Sequence, residues 1–154
     1  MTAPQPASET LDLGTLSGSL GLLVRLAQTR IYDLFFAAFN GEDIRPGAIT
    51  VLWVIDLNPN VRQGEVARAL NIKPAHMTKL VQRLVSDGLI IRHIPPEDRR
   101  SVRLALTPAG RVHLDRLRER FLNVHASENI GLTPSETEQL KDLLRKLAFP
   151  KDRP

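Results

Sequence analysis

Between Gln63 and Leu106 the spacing of apolar residues switches from helical to alternating, and few folds accommodate that switch in so short a stretch. Roughly from Gln63 to Leu70, Val66, Ala67 and Leu70 form the inner face of a short helix. Asn71 suits a turn, and Ile72 can plug the corner. Pro74 opens a second helix at a position where its missing N–H costs nothing. Met77, Leu80, Val81, Leu84 and Val85 make one apolar stripe, and Gly88 closes the helix. The opposite face carries His76, Thr78, Lys79, Gln82, Arg83 and Ser86. Two strands then follow, Leu89 to Ile94 and Val102 to Leu106, joined by the stretch from Pro95 to Ser101. The pattern is helix, tight turn, helix, then a hairpin with a long tip.

That tip reads PPEDRRS, with Arg99 and Arg100 behind two prolines and two acids. An arginine pair in a loop is either simply solvated or held out for an anionic partner. The charge distribution bears on the choice. Residues 60 to 112 hold ten Lys/Arg and four Asp/Glu, a net +6, against +4 for the whole chain. A centre this basic is expected of a domain facing a polyanion, or arises by chance on a solvated face.

The flanks read as helices. Residues 1 to 15 are polar and expected to form a mobile tail. Leu20, Leu23, Val24, Ala27, Ile31, Leu34, Phe35 and Ala38 recur at helical spacing, and Leu22, Leu26, Phe36 and Phe39 add a second stripe, so this helix must be covered on more than one side. It ends near Asn40-Gly41. The run AITVLWVIDL is either a strand or a short buried helix, which periodicity alone cannot separate. Thr107-Pro108 caps a helix expected to run to about Ala126, with Leu114, Leu117, Phe121 and Val124 on one side. Thr133-Pro134-Ser135-Glu136 is a capping box for a last helix carrying Leu140, Leu143, Leu144 and Leu147.

Composition narrows the function. The absence of cysteine removes disulfides, thiolate metal sites and thiol-based redox sensing. No apolar run reaches the length of a membrane span and the N-terminus has no signal-peptide pattern, so a cytoplasmic protein is expected. No pair among His76, His93, His113 and His125 has the spacing of a helical metal site. There is no phosphate-binding glycine loop, nucleophile elbow or acid/base pair. Neither an enzyme, a metal nor a cofactor is expected.

Helix-turn-helix followed by a hairpin is the winged-helix arrangement, so the fold class is mainly α (α+β). Its second helix fits the major groove of B-DNA, and the hairpin tip then lies over the adjacent minor groove, where an inserted arginine is favoured. Asp98 can accept from loop N–H groups or pair with an arginine and so fix the turn.

The residues also carry a resemblance. DRRSVRLALTPAG, residues 98 to 110, resembles the wing signature of the MarR family of transcription regulators, matched by Asp98, Arg100, Leu106, Thr107 and Gly110. VARALNIKPAHMTKLVQRLVSDGLIIR resembles its helix-turn-helix and LTPSETEQLKDLLRKL its final helix, and the likeness spans roughly residues 18 to 148. It implies a homodimer built by residues 16–44 and 108–150, with winged helices at 45–107 straddling a palindromic DNA site. It implies DNA contacts from Thr78, Arg83 and Arg100, with His76, Lys79, Gln82 and Arg99 beside them. Lys79 stands where the family often has arginine, and Lys73-Pro74 departs from the usual polar cap. It further implies repression released by an aromatic acid or an acyl- or aryl-coenzyme A, bound near Tyr32, Phe35, Phe36, Phe39 and Trp53, with Arg25 or Arg30 meeting an anionic group. The competing expectation is a dimeric winged-helix module that contacts another protein and has no operator of its own.

Overall fold

The computed structural model describes residues 11–150, so the first ten residues of the expected tail lie outside the described residues. The rest of that tail is partly ordered: Gly14–Gly18 forms a 3-10 turn leading into α1, Leu20–Ala38. Then come α2 (Pro46–Leu57), β1 (Val61–Arg62), α3 (Gln63–Ala69), α4 (Pro74–Ser86), β2 (Ile90–His93), β3 (Arg103–Leu106), α5 (Pro108–Asn123), α6 (Ser127–Ile130) and α7 (Pro134–Ala148).

The ambiguous run is a helix. Ile49, Val51, Leu52 and Ile55 are all buried, so α2 is covered around most of its circumference. An apolar periodicity cannot show on a helix surrounded by protein, which is why the sequence left the choice open. Pro46 supplies its first residue, where a missing N–H is harmless. Asn71, at φ 52°, makes the left-handed turn between α3 and α4. On α4, Met77, Val81 and Leu84 face the core. The core joins these to Phe35 of α1, Ile90 and Leu104 of the hairpin, and Leu114 and Leu117 of α5.

β2 and β3 pair antiparallel in the register Ile90 to Leu106 and His93 to Arg103. Each strand is shorter than the sequence pattern suggested: Leu89, Ile94 and Val102 lie just outside the paired residues. β1 pairs with the other edge of β3, Val61 opposite Leu104 and Arg62 opposite Arg103, giving the order β1-β3-β2. A two-residue strand has no periodicity to detect.

At the C-terminal side, α5 stops at Asn123, short of the expected Ala126. The Asn129 amide donates to the carbonyls of Asn123 and Val124, ending the helix and starting α6. Gly131, at φ 77°, ends α6 in the left-handed region. The capping box of α7 forms as expected: Thr133 N–H and hydroxyl both donate to the Glu136 carboxylate, and Glu136 N–H returns to Thr133 Oγ1. The backbone bond from Thr133, then its hydroxyl, hold the Glu136 carboxyl below its ordinary pKa.

The expected cover on several sides of α1 is supplied by this chain on one side only. Phe35 and Phe39 are buried, but Leu20, Leu23, Val24, Leu26, Tyr32 and Phe36 are 40–65% exposed. On α7, Leu140, Leu143, Leu144 and Leu147 are 42–58% exposed. An apolar stripe on α1 and another on α7 therefore lie open to solvent.

Candidate nucleic-acid interface

The interface is built on two supports, α4 and the wing between β2 and β3. The Leu-Thr and Gly of the hairpin's second half have a clear physical role in fixing that wing. Thr107 caps α5 by accepting from Gly110 N–H at 2.9 Å, while its hydroxyl donates to Gly88 O at 2.6 Å. Its own N–H donates to Leu89 O at 3.0 Å. One threonine thus joins the end of α4, the start of β2 and the start of α5. Gly110 packs so closely on this junction that a Cβ there would stand 1.9 Å from Leu89 O.

The tip is two successive turns: Asp98 N–H donates to Pro95 O at 3.1 Å and Ser101 N–H to Asp98 O at 3.0 Å. Pro95 and Ser101 are buried at its base. The Ser101 hydroxyl, the Arg100 backbone and the charges of Arg62 and Arg103 together hold the Asp98 carboxyl below its ordinary pKa, against a smaller opposing effect of desolvation. Arg62 Nη2 lies 3.5 Å from Asp98 Oδ2. Arg99 and Arg100 are left exposed at the tip, with no ion-pair partner among the described residues.

On α4, His76, Thr78, Lys79 and Gln82 are exposed on the outward side. The Thr78 hydroxyl donates to Pro74 O at 3.0 Å on its own helix and accepts from Gln63 Nε2 at 3.4 Å. Lys79 has no acidic partner among the described residues. Arg83 departs from the others. It is half-buried, and its guanidinium is paired with Asp43, in the segment before α2, and with Asp87 at 3.7 Å. Of the helix cations, Lys79 is free and Arg83 is engaged.

Two arginines that the sequence did not single out stand beside this surface. Arg62 and Arg68 line a polar groove of about 370 Å³ with Gln63, Glu65, Arg100 and Ser101. The local excess of arginine was a signal, but their place depends on β1 joining β3, which a two-residue strand hides.

A cavity of about 350 Å³ lies between α1, α2 and the end of α5, lined by Tyr32, Phe35, Thr50, Ile72, Phe121 and His125 among others. Two of the expected ligand residues, Tyr32 and Phe35, line it. Phe39 instead stacks on Phe35 at 4.4 Å between ring centroids. Phe36 is exposed, and Trp53 packs on Phe121 at 6.2 Å with the Arg118 guanidinium 5.0 Å over its ring. Arg25 and Arg30 are exposed on α1 and line no part of it. His125 Nε2 lies 2.9 Å from Ile31 O. A second cavity of about 370 Å³ lies against the buried side of α4, with Arg83 and His113 at its rim. Burial, then the charge of Arg116, lowers the His113 pKa.

Asp56 links α2 to α5, pairing with Arg111 at 2.6 Å and with Arg118. No cluster of three or more metal-ligating side chains occurs among the described residues. Among them, too, no helix is long and apolar enough to cross a membrane.

Comparison with known proteins gives a consistent answer. The MarR family model matches residues 44–102, from just before α2 to the end of the wing tip, stopping short of β3. A protein assigned to regulation of the hcr operon of Thauera aromatica is 30% identical over 87% of this chain and 81% of its own length. The transcriptional repressor CouR, bound to a 23-mer DNA duplex, superposes with a TM-score of 0.83 at 30% identity, covering 91% of this chain and 99% of that one. BpsR of Bordetella bronchiseptica, whose DNA binding is regulated by 6-hydroxynicotinic acid, superposes with a TM-score of 0.80 at 25% identity, covering 90% and 99% of the two chains. With this winged helix, this capped Thr-Gly junction and these relatives, the chain belongs to the MarR family and is a transcription regulator rather than an enzyme.

Proposed function

We propose that this regulator is a homodimeric repressor that binds a palindromic operator and releases it when an aromatic ligand binds. The observation that carries the reading is the pairing of two exposed surfaces: a cationic one for DNA and an apolar one for a second copy. Arg99 and Arg100 have no ion-pair partner among the described residues and stand at the tip of a wing whose turn holds Asp98, beside a helix that exposes His76, Thr78, Lys79 and Gln82. In this reading α4 enters the major groove, Arg100 the minor groove, and Arg99 reaches phosphate. Arg83 joins them by leaving Asp43. The open stripes of α1 and α7 support a dimer, since apolar faces of this length are not left in water. Two winged helices related by a two-fold axis then read half-sites about one helical turn apart. The aromatic cavity supports ligand control, because it lies where α1, on the dimer side, meets α2 and α5, which carry the winged helix. The regulation of BpsR by a small aromatic acid supports it as well.

Fluorescence anisotropy tests the reading, using the DNA upstream of the protein's own coding sequence and scrambled DNA at 50 and 200 mM salt. Six to ten phosphate contacts predict a loss of about 10³–10⁵ in affinity across that range, with preference for the native sequence. No binding to either DNA at 50 mM salt refutes the reading and favours a protein partner.

A further inference from the structure

Two adjacent acids in the segment between α1 and α2 reach two different helices. Glu42 pairs with Arg120 of α5, whose guanidinium lies 4.0 Å over the ring of the buried Phe39. Asp43 pairs with Arg83 of α4. The backbone that carries both acids is fixed. Glu42 N–H donates to Phe39 O at 3.1 Å, and Ile44 N–H donates to Glu42 O at 2.8 Å, a three-residue turn with Asp43 at its apex. Phe39 and Ile44 pack in the core on either side of that turn. Asp43 is thus held opposite a helix cation while its own side chain stays 83% exposed.

The pair does little for stability, because solvent screens both of its members. Its consequence lies in what it withholds. Arg83 follows Lys79 by four residues, so the two share a face of α4. Lys79 is free to meet an anion at once, whereas a phosphate that meets Arg83 has to displace a carboxylate of the same sign and the same hydrogen-bonding chemistry. The exchange replaces one charge-assisted pair by another, so Arg83 adds little net binding while Asp43 is present. Arg45 lines the same cavity as Asp43 and Arg83, which leaves Asp43 a cation nearby once Arg83 has moved.

We infer that Asp43 competes with DNA phosphate for Arg83 and thereby holds the affinity for DNA below what the cations of α4 alone would give. This rests on the reading that α4 meets DNA.

Fluorescence anisotropy of Asp43→Asn, Arg83→Ala and the double variant tests it, on the DNA upstream of the coding sequence and on scrambled DNA, at 50 and 200 mM salt. Asp43→Asn binds both DNAs about two- to fivefold tighter per bound copy at 50 mM salt. Its salt slope steepens by about 1 per copy, because the counterion released from phosphate is no longer taken up by Asp43. Arg83→Ala weakens binding, and in that background Asp43→Asn loses most of its gain and its steeper slope. Plain repulsion between the carboxylate and DNA does not need Arg83, so an equal gain in both backgrounds overturns the inference. So does an Asp43→Asn variant that binds no tighter than the unsubstituted protein. Unchanged affinity in Arg83→Ala places Arg83 away from DNA, which overturns the inference and leaves the DNA-binding reading standing. If the unsubstituted protein binds neither DNA at 50 mM salt, that reading fails and the inference with it.

Discussion

The Gly110→Ala substitution tests the junction that sets the wing on the body of the protein. An added Cβ stands 1.9 Å from Leu89 O and 2.8 Å from its carbonyl carbon, both backbone atoms that cannot swing aside. An ordinary C···O contact is about 3.3 Å, so α5 and the start of β2 have to part by about 1.4 Å. That movement also disturbs the bonds of Thr107 to Gly88 O and Leu89 O, because the same threonine caps α5 through Gly110 N–H. Overpacking of this kind costs about 1–3 kcal/mol, and a weakened cap adds about 1 kcal/mol. The sum is about 2–4 kcal/mol. At about 2–4 °C per kcal/mol for a chain of this size, the melting temperature falls by about 5–15 °C. Gly64→Ala is the control, since Gly64 lies in α3 with nothing within 4 Å of its added Cβ. There the substitution leaves stability unchanged or raises it by up to about 1 kcal/mol. Thermal melts followed by circular dichroism compare the two. Gly110→Ala melting within about 2 °C of the unsubstituted protein would refute the reasoning, because the junction would then be soft.

Three further outcomes follow from the same geometry. Arg100→Ala weakens operator binding by about 1–3 kcal/mol and relaxes preference at the A·T positions it reads, whereas Arg99→Ala weakens binding to all DNAs and lowers the salt slope by about 1; anisotropy across salt and sequence separates them, and identical profiles for the two variants count against their assigned roles. Leu143→Glu places a charge on the open stripe of α7 and converts the proposed dimer to a monomer, read by light scattering; an unchanged mass counts against that interface. The Asp98 carboxyl is held below its ordinary value of 3.8, so its contribution to stability is complete above that value and is lost as the pH falls through the lower native one. The gap in urea midpoint between Asp98→Asn and the unsubstituted protein is therefore present at pH 7 and closes as the pH falls below the ordinary carboxylate range; a gap that does not change with pH removes the ionised carboxylate from the account.

The parts of the fold that could be read from the sequence share one property: each rests on a pattern within a single element. The α4 stripe of Met77, Val81 and Leu84 and the caps at Thr107 and Thr133 are local, and each is found where the sequence put it. Where the reading stopped short, the deciding contact came from a distant part of the chain. β1 exists because Val61 and Arg62 meet β3 some forty residues on, and that meeting brings Arg62 to Asp98 and Arg68 to the wing groove. Arg83 is held by Asp43, forty residues before it, so its place on the polar face of α4 did not reveal its engagement.

The same distinction explains the aromatic residues. A helical period groups Tyr32, Phe35, Phe36 and Phe39 on one side of α1 but does not say what lies against each. Phe35 and Phe39 stack together, Phe36 points to the open side, and only Tyr32 and Phe35 reach the cavity. The cavity is completed by Thr50 of α2, Ile72 of the α3–α4 turn and His125 just beyond α5, none of which is aromatic or charged in a way that singles it out along the chain. Arg25 and Arg30 were the natural candidates for an anion because they share the helix with the aromatics. Both are exposed on α1 and neither is among the residues that line the cavity. What a sequence reports as proximity is shared membership of an element. The character of a cavity is set by which residues the other elements bring to it, and here they bring no charge.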